Sequence, residues 1–179
     1  MKFFIVSDTH FNHPFMLERG HRPENYEKRL IRNLRGILHD NTLLYHLGDI
    51  CLGNDTKWSN FFGDLPGRKV LIKGNHDGKS DSWYLNHGWD FVAENIIIDR
   101  FSYRILLSHA PTYHNPLFDI NIHGHSHTTP RHRRKYDIHR HQILVSMEEN
   151  SYRPMSLKKI INTYEKAKTL NNRKKVAQA

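Results

Sequence analysis

Five short apolar runs in this chain are each followed directly by Asp, Asn or His. Runs of this length that end in polar loops are typical of buried strands. In chain order the polar clusters are Asp8 with His10, then Asp49, then Asn75 with His76 and Asp77, then His109, and last His125 with His127. In sheets built from strand–helix–strand units, ligands gather where the carboxyl ends of the strands meet. The pattern therefore predicts that side chains from position 8 to position 127 lie close together.

The remaining pattern predicts a mixed α and β chain. Apolar positions at helical spacing favour helices over residues 24–39, around 58–62 and over 156–170. The predicted strands cover residues 2–6, 42–47, 69–73, 90–98, 101–108, 119–122 and 142–147. The strands at 90–98 and 101–108 are predicted to form a hairpin. Because 179 residues leave room for one domain, we expect a single domain over residues 1–170 and a polar tail over 171–179.

Composition excludes several classes of protein. No apolar run approaches the ~18 residues of a membrane span. The first strand has four apolar residues before Ser7, fewer than the ~7–15 of a signal-peptide core. The single cysteine, Cys51, cannot form an internal disulfide. We therefore expect a cytoplasmic protein without a membrane segment.

Basic residues and histidines are both in excess. The chain has 27 Lys and Arg against 18 Asp and Glu, a formal charge of +9, and it contains 15 His. The densest basic run extends from Arg131 to Lys135. Such a run attracts phosphate-rich partners such as nucleotides or nucleic acid, although most charge runs are only solvated surface. Excess histidine favours metal or proton chemistry.

The spacing and chemistry of the polar clusters indicate a metal site. Residues i and i+2 of an extended segment point the same way, ~6.6 Å apart, so Asp8 and His10 can converge on one ion. His125 and His127 are far enough apart to serve two neighbouring ions. All of these donors are oxygen or imidazole nitrogen, which suits Mn²⁺, Fe or Zn²⁺ and disfavours an iron–sulfur or Zn–Cys site. The histidines also disfavour calcium.

The ordered motifs resemble the calcineurin-like metallophosphoesterase family. They are Asp8-Thr9-His10, Gly48-Asp49, Gly74-Asn75-His76-Asp77, His109 and Gly124-His125-Ser126-His127. The resemblance runs from Phe3 to His127 and is strongest to small bacterial and phage members without a cap domain. It implies a four-layer α/β/β/α sandwich, with two mixed sheets flanked by helices.

The resemblance also implies a dinuclear metal centre. It assigns the first ion to Asp8, His10, Asp49 and His127, and the second to Asp49, Asn75, His109 and His125. Asp49 bridges the two ions in this assignment. The ions expected from the resemblance are two Mn²⁺, with iron, Zn²⁺ or Ni²⁺ as alternatives.

The implied activity is hydrolysis of a phosphoester, by preference a phosphodiester because a site without a cap is open. A hydroxide that bridges the metals attacks phosphorus in line. His76 is the implied general acid for the leaving group, and Asp77 is expected to orient its ring. Further residues expected to contact substrate are His13, Arg22, Tyr113 and His114.

Three alternatives stay open at this point. A phosphomonoesterase or protein phosphatase would use the same site. A scaffold on the same fold would bind without catalysis, and a nucleic-acid-binding module would depend on the +9 charge. No helix-turn-helix, zinc-finger or aromatic RNA-binding motif supports the last alternative. We expect a phosphoester substrate, with nucleotides and nucleic acid as candidates, and no obligate protein partner.

Overall fold

Two sheets are built from the predicted strands and several short additional ones. A computed structural model describes residues 1–18, 22–127, 136–138 and 140–176, and this part of the chain contains ten strands and five helices. The strands are β1 Lys2–Val6, β2 Thr42–His46, β3 Arg68–Ile72, β4 Phe91–Ala93, β5 Asn95–Arg100, β6 Tyr103–Ser108, β7 Ile120–His123, β8 Tyr136–Asp137, β9 Gln142–Leu144 and β10 Met155–Ser156. The helices are α1 Phe15–Glu18, α2 Tyr26–Ile37, α3 Asp55–Gly63, α4 Asp81–Leu85 and α5 Leu157–Val176.

The first sheet has the strand order β10-β1-β2-β3-β4. Strands β1 to β4 are parallel neighbours, and β10 is antiparallel to β1. Val6 lies opposite His46, and His46 lies opposite Leu71. The carboxyl ends of β1, β2 and β3 therefore meet at one edge of this sheet.

The second sheet has the order β5-β6-β7-β9-β8. Strands β6, β7 and β9 are parallel, whereas β5 and β8 are antiparallel to their neighbours. Ser108 lies opposite His123, and His123 lies opposite Leu144. The structure thus confirms two mixed sheets with helices flanking them, while the four-layer stacking and the domain limits stay predictions.

One apolar core joins the two sheets. It contains Ile5 of β1 and Leu71 of β3 together with Leu107 of β6 and Ile122 of β7, all inaccessible to solvent. The predicted apolar face of α2 is also buried there, including Leu30. Because both sheets share this core, the loops at their carboxyl ends are held next to each other.

Two of the boundaries that differ from the sequence-based predictions change how the chain is divided into elements. The single strand predicted over residues 90–98 is two strands, because the chain bends at Glu94 between β4 in one sheet and β5 in the other. The last helix continues to Val176, past the predicted end at residue 170. Within the described ranges, no helix combines the length and apolar character that crossing a membrane requires.

Candidate metal centre

The loops that follow β1, β2, β3, β6 and β7 meet between the two sheets. Hydrogen bonds connect loops from different sheets, among them one made by His109 and one made by His125. His109 donates through Nδ1 to the carbonyl oxygen of Leu47 at 2.7 Å. The backbone N–H of His125 donates to Asp8 Oδ2 at 3.0 Å. The structure therefore confirms that the five predicted clusters come together.

Asp8, His10 and His127 form the first ligand group. Each offers one donor atom, and these atoms all lie within 4.8 Å of one another. His10 Nε2 is 3.1 Å from His127 Nε2 and 3.8 Å from Asp8 Oδ1. Two imidazole nitrogens at this distance need a shared proton or cation between them, so the geometry fits one metal ion.

Asp49, His109 and His125 form the second ligand group, again with donor atoms within 4.8 Å of one another. His109 Nε2 is 3.1 Å from His125 Nδ1 and 3.0 Å from the side-chain oxygen of Asn75. Because Leu47 takes the other ring proton of His109, Nε2 is left to face this group. The structure thus brings Asn75 next to this group, and its role as a ligand stays a prediction.

The Asp49 carboxylate belongs to the second group and also lies close to the first. Its Oδ2 is 3.6 Å from His10 Nε2 of the first group and 3.4 Å from His109 Nε2 of the second. Its Oδ1 accepts a hydrogen bond of 2.9 Å from the backbone N–H of His76. A carboxylate has enough lone pairs to serve two cations at once, and this one is held in a suitable position to do so.

Four of these residues have a left-handed backbone conformation. The φ angles are +52° for Asp8, +46° for His10, +59° for Asp49 and +65° for His125. This region is uncommon for residues other than glycine and costs of order 1–3 kcal/mol for each residue. The conformation turns the chain sharply after each strand, so that these side chains point to a common centre.

The glycines of the motifs are required because the ligands pack directly on them. A Cβ atom on Gly124 would lie 1.8 Å from Ser7 Oγ and 2.3 Å from Asp8 Oδ2. A Cβ atom on Gly74 would lie 2.2 Å from Asp49 Oδ1. Any side chain at either position would displace a carboxylate of the centre.

We expect Gly124→Ala to lower the free energy of unfolding by about 1–3 kcal/mol, the range for overpacking a filled site. Gly78→Ala is the matched control, because a Cβ atom there would meet nothing within 4 Å. Urea unfolding of both variants measures the difference. Equal stability of the two variants would contradict the close packing described for Gly124.

Burial and charge set the protonation of the centre. Burial lowers the pKa of His10 to about 2, so its ring is neutral. Burial also acts to lower the pKa of His109, but the hydrogen bond with Asp49 and the charge of Asp8 raise it to about 9. A divalent cation can replace that proton as the partner of the two carboxylates. Oxygen and imidazole donors in this arrangement fit such a cation.

His76 lies at the open side of the centre. Its side chain is 37% exposed, and Nε2 is 3.9 Å from Asp49 Oδ2. The ring centroid is 5.4 Å from that of His10 and 5.8 Å from that of His13. His76 is therefore accessible to solvent while remaining close to both ligand groups.

Asp77 was expected to orient the His76 ring, but the described hydrogen bonds of its carboxylate come from backbone N–H groups. Its buried carboxylate accepts backbone hydrogen bonds from Asp49 at 2.7 Å, Ile50 at 3.0 Å and Gly74 at 2.8 Å. Burial raises the pKa of Asp77 to about 6, although these three hydrogen bonds act to lower it. Asp77 thus connects the loops after β2 and β3 underneath Asp49.

The four predicted substrate contacts occupy different environments. His13 lies beside the centre, with its ring centroid 5.1 Å from that of His10. The Arg22 side chain is fully buried. Tyr113 is 82% exposed, and the His114 ring packs 4.5 Å from that of His141. Ring contacts place His13 next to His10 and His76, and the contacts of all four residues with substrate stay predictions.

One residue beside the centre was missed by the sequence reading. Glu148 Oε1 lies 3.5 Å from His127 Nδ1 and accepts a hydrogen bond of 2.8 Å from Arg22 Nε. Glu148 follows β9, which runs parallel to β7. The rule that located the other clusters, a polar residue after the carboxyl end of a strand, applies to it as well. The basic run from Arg131 to Lys135 lies outside the described residues.

Two relatives match nearly the whole chain. The uncharacterized protein MJ1445 of Methanocaldococcus jannaschii is 32% identical over 183 residues, which cover 94% of each chain. The crystal structure of AQ665, a protein of unknown function from Aquifex aeolicus, matches with a TM-score of 0.75 and 30% identity. That match covers 90% of this chain and 98% of AQ665. The chain belongs to the family of these two proteins. No family model matches it.

A third match concerns only the fold of this chain. The structure of a novel archaeal phosphodiesterase matches with a TM-score of 0.50 and 20% identity, over 82% of each chain. At this identity the match shows a shared fold only. This shared fold is consistent with the metallophosphoesterase-like fold that the motifs predicted, whereas membership of the metallophosphoesterase family and the likeness to small bacterial and phage members stay predictions.

Proposed function

We propose that this protein is a dinuclear-metal-dependent phosphoesterase that acts by preference on phosphodiesters. The observation that carries the proposal is the position of Asp49 Oδ2, which lies 3.4 Å from His109 Nε2 of its own group and 3.6 Å from His10 Nε2 of the first group. A scaffold has no need of two adjacent groups of donors joined by one carboxylate. A hydrolase that binds two ions side by side does need them.

The proposed ligand sets follow the two groups. Asp8, His10, Asp49 and His127 hold the first ion, and Asp49, Asn75, His109 and His125 hold the second. Two divalent cations bound there would lower the pKa of a water molecule and neutralise charge on the phosphoester oxygens. With two carboxylates facing two dications, the ligand sets leave a net positive charge toward the anionic substrate.

His76 is the proposed general acid. It is exposed on the open side of the centre and its Nε2 lies near Asp49, so the ring can reach a leaving group without entering either ligand group. A proton from His76 would let the leaving oxygen depart as an alcohol. Asp77 positions the Asp49 loop through its three backbone hydrogen bonds.

Accessibility of the centre supports a diester substrate. Beside the exposed ring of His76, the side chain of His127 is 26% exposed, and His125 is exposed as well. A phosphodiester carries an organic group on each side of phosphorus, so it needs a site that is open on both sides. We propose nucleotides and nucleic acid as candidate substrates, manganese as the metal and the cytoplasm as the location.

Metal removal and replacement tests this function. We expect the stripped protein to leave bis(4-nitrophenyl) phosphate and 4-nitrophenyl phosphate intact. Refilling with Mn²⁺ should restore hydrolysis, with a higher kcat/KM for the diester. Release of 4-nitrophenol, followed by absorbance, measures both rates. If the refilled protein binds metal and hydrolyses neither ester, the phosphoesterase proposal fails; faster turnover of the monoester would overturn only the preference for diesters.

A further inference from the structure

Arg22 and Glu148 form a buried ion pair next to the first ligand group. Arg22 Nε donates to Glu148 Oε1 at 2.8 Å, and the two side chains are 0% and 14% exposed. A buried pair of charges is costly to desolvate unless further hydrogen bonds satisfy it. Both partners do make further contacts. Arg22 contacts the loop of Asp8 and His10, and Glu148 contacts His127.

Arg22 contacts the loop that carries Asp8 and His10. Its two terminal nitrogens donate to the carbonyl oxygen of Asp8 at 2.7 Å and to that of Thr9 at 2.9 Å. These carbonyls belong to the turn in which Asp8 and His10 have positive φ angles. The rigid planar fork of a guanidinium holds these two acceptors and Glu148 in one fixed geometry, which the flexible point charge of a lysine does not reproduce.

Glu148 contacts the other side of the group, at His127. Its Oε1 is 3.5 Å from His127 Nδ1, and its Oε2 accepts a hydrogen bond of 2.6 Å from Ser146 Oγ. A carboxylate behind one ring nitrogen fixes the orientation of the ring and directs the other nitrogen to a metal. That other nitrogen, His127 Nε2, is the one that lies 3.1 Å from His10 Nε2.

The second ligand group has a different support. There the ring nitrogen that faces away from the group, His109 Nδ1, donates to the neutral carbonyl of Leu47. The histidine of the first group, His127, therefore has the carboxylate of Glu148 behind it, and Arg22 is paired with that carboxylate. The corresponding histidine of the second group, His109, has the neutral carbonyl of Leu47 instead. Among the described contacts, Arg22 and Glu148 touch no residue of the second group, so changing either side chain alters the first group directly and leaves the contacts of His109 in place.

We infer that the Arg22–Glu148 pair positions the first ligand group from both sides and sets its affinity for metal, independently of the second group. Both are positioning residues, and the buried Arg22 acts here rather than on substrate. The inference rests on the metal centre of the proposed function, but not on the reaction. Loss of a partner of this kind typically lowers metal affinity by about 10–100-fold.

Glu148→Gln tests the inference because it keeps the shape of the side chain and removes its charge. The matched control is Glu24→Gln, which neutralises an exposed carboxylate two positions from Arg22. Mn²⁺ binding is measured by titration calorimetry and by metal content after equilibrium dialysis. We expect wild type and control to bind two ions, and Glu148→Gln to bind one with unchanged affinity and one about 10–100-fold more weakly.

Arg22→Lys provides the second variant in case Glu148→Gln does not fold, since it keeps the buried positive charge and loses the fork. It should weaken the same ion. The electron paramagnetic resonance signal of two coupled Mn²⁺ ions should also be lost at the metal concentration that saturates wild type, leaving the signal of single ions.

The outcomes separate this inference from the proposed function. Unchanged binding in both variants, or equal weakening of both ions, would overturn the inference. A wild-type protein that binds two ions and hydrolyses no ester would defeat the proposed function and leave the inference standing. A wild-type protein that binds no metal would overturn both.

Discussion

Asp49→Asn should lower kcat/KM for a phosphodiester by about 10³-fold, because it removes the carboxylate that both ligand groups share. An amide oxygen carries no charge and cannot neutralise two cations as a carboxylate does. Loss of about 4 kcal/mol of charge stabilisation corresponds to about 10³-fold in rate. Steady-state hydrolysis of bis(4-nitrophenyl) phosphate by the Mn²⁺-loaded variant measures the effect.

The control for this prediction is Asp40→Asn, which makes the same chemical change at an exposed position on another loop. It should retain wild-type activity and metal content. Metal analysis of Asp49→Asn should also show fewer than two ions for each chain after dialysis. An Asp49→Asn protein that retained both ions and full activity would be incompatible with a bridging role.

His76→Asn should lower activity by an amount that depends on the leaving group. General acid catalysis contributes about 10²–10⁴-fold, and it matters most when the leaving oxygen is strongly basic. We therefore expect a modest loss for diesters that release 4-nitrophenol and a larger loss for matched diesters that release phenol. The ratio of wild-type to variant kcat/KM for the two substrates is the measurement.

Two controls accompany this prediction. Metal binding by His76→Asn should equal that of wild type, because His76 belongs to neither ligand group. His39→Asn alters an exposed histidine two residues after α2 and should leave both rates unchanged. A loss that was the same for both leaving groups would assign His76 to substrate binding instead of proton transfer.

The convergence of the proposed ligands could be predicted because it depends on a local rule. Asp8, Asp49 and His109 each follow the carboxyl end of a strand, and parallel strands bring such ends to one edge. Apolar run length and the polar residues that stop each run are both visible in the sequence. The prediction therefore needed no knowledge of how the two sheets are arranged.

The switch between sheets could not be predicted in the same way. Glu94 and Asn95 interrupt the apolar residues of 90–98, but two polar residues inside a strand do not by themselves show that β4 ends there and that the chain enters the other sheet. Strand partners decide that boundary, and these partners, β3 for β4 and β6 for β5, belong to different sheets.

The roles of the residues that contact the candidate ligands, Arg22, Glu148 and Asp77, could not be predicted from the motifs. A basic residue before a proline, such as Arg22, has the same sequence pattern whether it faces solvent or the interior. Its burial depends on Glu148, which is 126 positions away. Asp77 directly follows His76, yet its carboxylate is used by the backbone of another loop. Such roles depend on tertiary contacts and need coordinates.

The division of each ligand group between the two sheets bears on when a newly made chain can acquire metal. Synthesis proceeds from the N-terminus, so Asp8, His10 and Asp49 emerge well before His109 and His127. Until β6 and β7 have docked, each proposed ion would meet only part of its ligand set. If the proposed centre binds metal, the order of the motifs along the chain would delay tight binding until the second sheet has formed.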